Sequence, residues 1–357
     1  MKILHTSDLH IGSPLTSRLS PEKVRERKAE LLASFERMIE EAVYQRVSVF
    51  IIAGDLFDTE KITGSTAERV IGAMARRPSL QFLYLPGNHE KNALTESGIS
   101  LPENLRLFGE EWTYFDYGDV CIAGRSRIAE GMFDSLNLSY AKTNIAVLHG
   151  ALADGKSGGE IIGKRELEGK HVDYLALGHY HSYSVEKIFD TGVAVYSGTP
   201  EGRGFDEVGD KGYVLISTDG SRILHSFRSF AKRRLHIVPV ELDGAVRSSD
   251  ISERAERALK SIPCGDIVRL ELCGRYFPTL WKDIDALTRQ FENRFYYFEI
   301  KDTSRIAINP EDYKHDMSLK GEFIRTVSAD STLDEETKEK IIACGINALM
   351  GEDLFEN

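Results

Sequence analysis

The sequence predicts a layered α/β protein with a second, smaller α/β unit behind it, on three observations. Short, continuous apolar runs bounded by Gly or Pro recur through the first 230 residues, as strands buried on both faces require. Strand, helix and strand follow one another at the start, which implies a parallel crossover. After Lys232-Arg233-Arg234 the pattern changes to an alternation of strand and helix on a smaller scale.

In order, Ile3-Leu4 leads into Ser7-Asp8-Leu9-His10. Ser20-Pro21 then reads as an N-cap followed by Pro in the first turn, with Val24, Leu31, Phe35, Met38 and Ala42 at helical spacing. Val49–Ala53 leads to Gly54-Asp55, Phe82–Leu85 to Pro86-Gly87-Asn88-His89-Glu90, Ile145–Leu148 to His149-Gly150, and Tyr174–Leu177 to Gly178-His179-Tyr180-His181. Val193–Ser197 and Gly212–Ser217 add β structure to the same domain. Beyond it, His236–Leu242, Ile267–Cys273 and Arg294–Lys301 read as strands. Ile251–Ile262 reads as a helix between them, and so does Leu280–Phe291, with Leu280, Ile284, Leu287 and Phe291 on one face. From Pro310 the chain is acidic and helix-prone, with apolar stripes at Leu319, Phe323, Ile324 and at Ile341, Ile342, Ile346, Leu349. The expected domains are 1–232, 233–308 and a helical tail, 309–357.

The totals limit the function classes. With 357 residues, 41% hydrophobic and 28% charged, the composition is that of a globular protein of two or three domains. No run approaches the ~18 apolar residues of a membrane span, and His5 and Asp8 stand where a signal peptide needs its apolar region. A cytoplasmic protein is expected. Cys121, Cys264, Cys273 and Cys344 form no C-x-x-C pair, so they read as reduced thiols. A net charge of −11 argues against a broad nucleic-acid-coating surface. Only residues 231–310 are slightly basic, with 14 Lys and Arg against 12 Asp and Glu.

Five strand ends carry metal-type donors: Asp8, His10, Asp55, Asn88, His149, His179 and His181. In an open α/β sheet the crevice beyond the carboxyl ends of the strands is where sites form. Oxygen and imidazole donors without thiolate suit manganese, iron or zinc. Seven ligands exceed what one ion takes from a protein, and a carboxylate such as Asp55 can bridge two. A dinuclear site is the natural reading, the arrangement that activates water and neutralises phosphoryl charge. His89, adjacent to a ligand but surplus to the count, is placed to protonate the leaving oxygen or to bind the phosphate. His171, His225, His236 and His315 lack partners at ligand spacing, and His5 falls inside the first strand.

One stretch competes. Gly150–Ser157 spells G-x-x-x-x-G-K-S, the phosphate loop of nucleotide-binding proteins. That loop needs a helix starting at its Lys-Ser, and here Gly158-Gly159 follow, each about 1 kcal/mol unfavourable in a helix.

The motifs "ILHTSDLHIG", "AGDLFDT", "LPGNHE" and "LGHYHS", with "YSGTPEGRGFDEVGDKGYVLI" after them, resemble the calcineurin-like metallophosphoesterases. Within that superfamily they are similar to DNA-repair exonuclease subunits of the SbcD and YhaO-like type. The resemblance implies a four-layer αββα sandwich, with one metal on Asp8, His10, Asp55 and His181. It implies a second on Asp55, Asn88, His149 and His179, with His89 as the catalytic histidine. Two divalent ions, most often manganese, DNA as substrate, a capping domain that helps to choose DNA, and a tail that binds an SMC-like ATPase are further implications. A homodimer and endonuclease activity stay open. Glu90 departs from the Asp of many members without touching the ligands. A phosphatase or small-molecule phosphodiesterase of the same superfamily is the rival reading. Against it stands the extra β-α-β-α-β domain, where Arg247, Arg254, Arg257 and Lys260 surround one helix as candidate DNA contacts, or else form a solvated face laced with Glu253 and Glu256.

Overall fold

The computed structural model describes residues 1–15, 19–90, 93–189, 192–219, 222–277, 280–308 and 310–350, and the chain divides into two compact units, Met1–Leu235 and His236–Asn357. The first runs β1 (Lys2–Thr6), α1 (Pro21–Tyr44), β2 (Val49–Ala53), α2 (Gly64–Ala75), β3 (Gln81–Leu85), β4 (Leu105–Leu107), β5 (Thr113–Tyr117), β6 (Val120–Gly124) and β7 (Thr143–His149). It continues with β8 (Ala151–Ala153), β9 (Ile161–Gly163), β10 (Tyr174–Gly178), β11 (Ser184–Lys187), β12 (Val193–Tyr196), β13 (Gly212–Thr218) and β14 (Ile223–Ser229).

Two six-stranded sheets result, in the orders β14-β13-β1-β2-β3-β4 and β11-β12-β10-β7-β6-β5. The β1-β2-β3-β4 and β6-β7-β10-β12 stretches are parallel, and antiparallel strands complete the edges. Alternation along each strand explains why the apolar runs are unbroken: successive side chains enter different cores. In β2, Val49, Ile51 and Ala53 face the core between the sheets, shared with Ile145 and Val147 of β7. Phe50 and Ile52 pack beneath Phe35 and Met38 of α1 and Val70 and Met74 of α2. The outer face of the second sheet, Ala146, Leu148, Leu175 and Leu177, is covered by short 3₁₀ turns, Met132–Ser135 and Lys164–Leu167, around Met132, Phe133 and Leu167. Ser20 caps α1 by accepting from Lys23 N at 3.4 Å, with Pro21 in the first turn.

A buried charge cluster ties α1 to the chain that closes this unit. Glu30 meets Arg27, Lys232 and Arg233, and Glu201 accepts from Ser34 Oγ at 2.8 Å and from the Lys232 amide at 2.8 Å.

In the second unit, β15 (Leu235–Glu241), β16 (Ile267–Cys273) and β18 (Tyr297–Asp302) form a three-stranded sheet in that order, with β17 (Arg275–Tyr276) and β19 (Arg305–Ile306) pairing separately. Helices α3 (Ser248–Leu259) and α4 (Ile284–Phe291) pack Ile251, Ala255, Leu259, Leu287 and Phe291 against Leu270, Leu272 and Phe298. Three elements differ from the sequence pattern by three residues or more, the first being α3, which runs Ser248–Leu259 and not Ile251–Ile262. The α4 helix begins at Ile284, because Asp283 caps it by accepting from Ala286 N at 2.8 Å, and Leu280 is buried ahead of it. The last strand starts at Tyr297, three residues later than the pattern implied. In the tail, α5 (Leu319–Ala329) and α6 (Glu335–Met350) spend part of their apolar stripes on each other, through Ile324, Ile342 and Ile346. Met317 and Leu319 stay exposed. Among the described residues no helix is long and apolar enough to cross a membrane.

Candidate metal centre

The centre lies beyond the carboxyl ends of β1, β2, β3, β7 and β10, where the two sheets meet. Asp8, His10, Asp55 and His149 are buried to 3% exposure or less, whereas Asn88 and His89 are exposed. Asp8, His10, Asp55 and His179 all hold positive φ, at 52°, 46°, 51° and 104°. Such backbone is uncommon for residues with a Cβ and persists where the surroundings over-determine it. Hydrogen bonds supply that determination: Asp8 N donates to Gly54 O, His10 N to Asp55 O, and His179 N to Asp8 Oδ1, each at 3.0 Å. The glycines of the motifs leave room for ligands, since a Cβ at Gly54 would overlap the His149 ring and one at Gly87 would overlap the Asp55 carboxylate.

Donor atoms converge in two groups. Those of Asp8, His10 and His181 all lie within 4.8 Å of one another, and so do those of Asp8, Asp55 and His149. Asp55 Oδ2 stands between the groups, 3.3 Å from His149 Nε2 and 3.8 Å from His10 Nε2. The His179 ring packs edge-on to His149 at 5.7 Å, outside both tight groups. Asn88 donates from its amide nitrogen to Glu160 at 2.7 Å, which leaves the amide oxygen as its ligand atom. The structure thus gathers the histidines and aspartates around one centre and puts Asn88 and His89 on its open side.

The donor set fits divalent ions. His10 Nε2 and His181 Nε2 face each other at 3.2 Å. Two nitrogens bound at about 2.1 Å to one ion at 90–110° would be about 3.0–3.4 Å apart. His149 Nδ1 is 2.9 Å from Ala53 O, so that nitrogen carries a hydrogen, and buried Nε2, 3.3 Å from Asp55 Oδ2, is the atom left to bind an ion. Burial alone would lower the His149 pKa, but the Asp55 carboxylate and the Asp8 charge overcome it and push it up to about 9. Ion binding there therefore releases a proton. Burial opposes ionisation of Asp55 as well, yet His149 and His10 hold its pKa well below the usual carboxylate range.

Sequence reasoning missed the residues behind the ligands. His10 Nδ1 lies 2.8 Å from Asp58 Oδ1, and His181 Nδ1 lies 2.7 Å from Glu207 Oε1. Arg203 joins the two carboxylates, with Nη1 3.3 Å from Asp58 Oδ1 and Nη2 2.7 Å from Glu207 Oε1. Burial works against the Glu207 charge, but His181 and Arg203 hold its pKa at about 2, and the Glu207 contact raises that of His181. Glu90, fully buried, accepts from Leu56 N at 2.9 Å and Gly87 N at 3.2 Å, fastening the Asp55 loop to the Asn88 loop. The only signal was the presence of Asp58, Arg203 and Glu207 inside or beside the motifs, without a spacing that assigns a partner.

The phosphate-loop match has no phosphate-loop structure. After Ser157 the chain forms β9, parallel to β8; Lys156 pairs with Glu130 at 2.5 Å, and Ser157 N donates to Glu166 Oε1 at 2.9 Å. Of the basic residues in the second unit, Arg254 donates to the backbone oxygens of Glu241 and Asp243, and Arg247 pairs with Asp250. Arg257 and Lys260 are exposed.

A strand-end crevice of histidines and carboxylates between two facing sheets is the centre of a metal-dependent phosphoesterase. The chain belongs to the calcineurin-like phosphoesterases, whose family model matches residues 1–183, a span holding every candidate ligand and His89. The uncharacterized metallophosphoesterase YhaO of Bacillus subtilis is 29% identical over 64% of this chain and 60% of its own length. The DNA double-strand break repair protein Mre11 of Methanosarcina mazei is 25% identical over 75% of this chain and 45% of its own. A component of the nuclease SbcCD from Staphylococcus epidermidis is 24% identical over 63% of this chain and 68% of its own. The chain thus spans about half of the first two relatives.

Proposed function

We propose that this protein is a two-metal phosphodiesterase that degrades DNA from its ends, working with an SMC-like ATPase and with manganese as the preferred ion. One observation carries the reading: three imidazole Nε2 atoms and two carboxylates converge at the strand ends, with Asp8, His10 and Asp55 on positive-φ backbone and carboxylates behind two of the histidines. Similarity to a repair protein and to part of a nuclease favours DNA over other phosphodiesters.

In this reading Asp8, His10, Asp55 and His181 hold one ion, and Asp55, Asn88, His149 and His179 the other. When bound, the pair supplies an activated water and neutralises phosphoryl charge. His89 supplies the proton for the leaving oxygen: its ring is exposed, 5.3 Å from that of His10, and its backbone N–H holds Asp55 Oδ1 at 3.3 Å. That bond fixes the His89 loop relative to the ligands while the imidazole stays open to substrate. Exposed Arg257 and Lys260 contribute phosphate contacts in the second unit, the tail 309–357 docks the ATPase, and the protein works in the cytoplasm.

The test is degradation of labelled single- and double-stranded DNA beside bis(p-nitrophenyl) phosphate, with manganese and with chelator. Loss of DNA ends with manganese and protection by chelator are expected. Hydrolysis confined to simple phosphate esters would replace the nuclease reading with that of a phosphatase or small-molecule phosphodiesterase.

A further inference from the structure

Two groups compete for Nδ1 of His181. Glu207 Oε1 lies 2.7 Å away and can only accept a hydrogen bond, while Arg203 Nη2 lies 3.1 Å away and can only donate one. The two contacts demand opposite tautomers. With the hydrogen on Nδ1, His181 donates to Glu207 and its Nε2, which faces His10 Nε2, keeps the lone pair a metal needs. If Nδ1 accepted from Arg203, the hydrogen would sit on Nε2 and block it.

We propose that Glu207 selects the metal-binding tautomer of His181 by occupying Arg203, so that this pair sets ion affinity at the His10–His181 position. The geometry favours Glu207 twice over. It is the nearer partner, and it also takes the Arg203 donors: Nε at 3.1 Å, Nη2 at 2.7 Å and the backbone N–H at 2.8 Å. Arg203 Nη1 turns instead to Asp58, the carboxylate behind His10. One guanidinium is therefore taken up by the acceptors of both histidines of one metal group and kept off His181 Nδ1. The His149 group is independent of it, because His149 Nδ1 is held by the Ala53 carbonyl. Both Arg203 and Glu207 lie beyond residues 1–183, so these supports of the ligands come from outside the part of the chain that matches the family model. Partners of this kind typically alter metal affinity 10–100-fold.

The inference rests on the two-metal reading, and the experiment separates the two. Manganese binding to the full chain is titrated by equilibrium dialysis and by electron paramagnetic resonance, which distinguishes a coupled pair from a single ion. Wild-type protein is expected to bind two ions as a coupled pair. In Glu207→Gln one ion should bind about 10–100-fold more weakly and the remainder give a mononuclear signal, with the melting temperature followed as a control. The double variant Arg203→Met/Glu207→Gln should recover most of the lost affinity, because the competing donor is gone; a purely structural role makes the double variant at least as weak as the single. Arg203→Met alone should keep both ions, which tests the tautomer argument even if Glu207→Gln fails to fold. Unchanged affinity in Glu207→Gln, no recovery in the double variant, or loss of an ion in Arg203→Met would overturn the inference while leaving two-metal binding intact. A wild type that binds fewer than two ions would overturn both.

Discussion

At the scale of residues, the centre is built from positions that are costly without a ligand to justify them. Asp8, His10, Asp55 and His179 sit at positive φ, and each such residue stores of order 1–3 kcal/mol of strain. Asp55, between the two groups, is the residue whose loss should cost both ions. Asp55→Asn is expected to lower bound manganese from two ions to one or none, measured by elemental analysis after gel filtration. Full occupancy in that variant would remove Asp55 as the bridge. His89 makes the opposite prediction. His89→Ala should retain both ions and lose about 10²–10⁴-fold in turnover, the usual worth of a general acid, read from kcat on a phosphodiester beside the metal content. If metal were lost as well, His89 would be a ligand. The motif aspartates and histidines were legible in the sequence because donors at five strand ends are rarely accidental. Asp58, Arg203 and Glu207 were not, since an Asp or Glu in a loop has many uses and only the fold reveals which histidine it touches.

At the scale of elements, α1 and the closing segment are locked by the cluster around Glu30. Burial would raise the Glu30 pKa, but Arg233, Lys232 and Arg27 overcome it and hold it at about 2. The folded value lies below that of the unfolded chain, about 4.3. The cluster therefore stabilises fully above about pH 4.5, and its contribution disappears as the pH falls towards 2. Glu30→Gln should cost about 1–2 kcal/mol near neutral pH, a figure discounted for solvent screening. Urea denaturation should show the gap from wild type closing between pH 5 and pH 2; a gap that persists at pH 2 would assign the cost to packing. In the second unit, Arg254 is engaged with backbone oxygens, so the basic face of α3 is narrower than the sequence implied. Arg257→Glu/Lys260→Glu should weaken DNA binding similarly for all sequences and flatten its salt dependence. Fluorescence anisotropy at several salt concentrations would decide this, and an unchanged slope would return these residues to an ordinary solvated face. Apolar period located the helices, but the start of α4 was set by the Asp283 cap, which a strand-like or helical period cannot register.

At the scale of the whole molecule, every candidate ligand belongs to the unit Met1–Leu235. Ligand binding stabilises only what it binds, by about 2.7 kcal/mol at a hundredfold excess over Kd. Scanning calorimetry with manganese and with chelator should therefore shift the transition of the first unit and leave that of His236–Asn357 in place. Equal shifts in both would show that the units melt as one. The sequence by itself determined the strands, their order of metal-type donors and the class of chemistry, because short apolar runs and strand-end ligands are written locally. It also rejected the phosphate loop, through two glycines that disfavour the required helix. Only the tertiary structure decided which donors lie together, because that depends on residues 171 positions apart, such as His10 and His181, meeting at one crevice. The same holds for Glu207 and Arg203. Their competition over one imidazole nitrogen exists only when a late loop folds back onto the ends of β1 and β10, and no local pattern encodes that return.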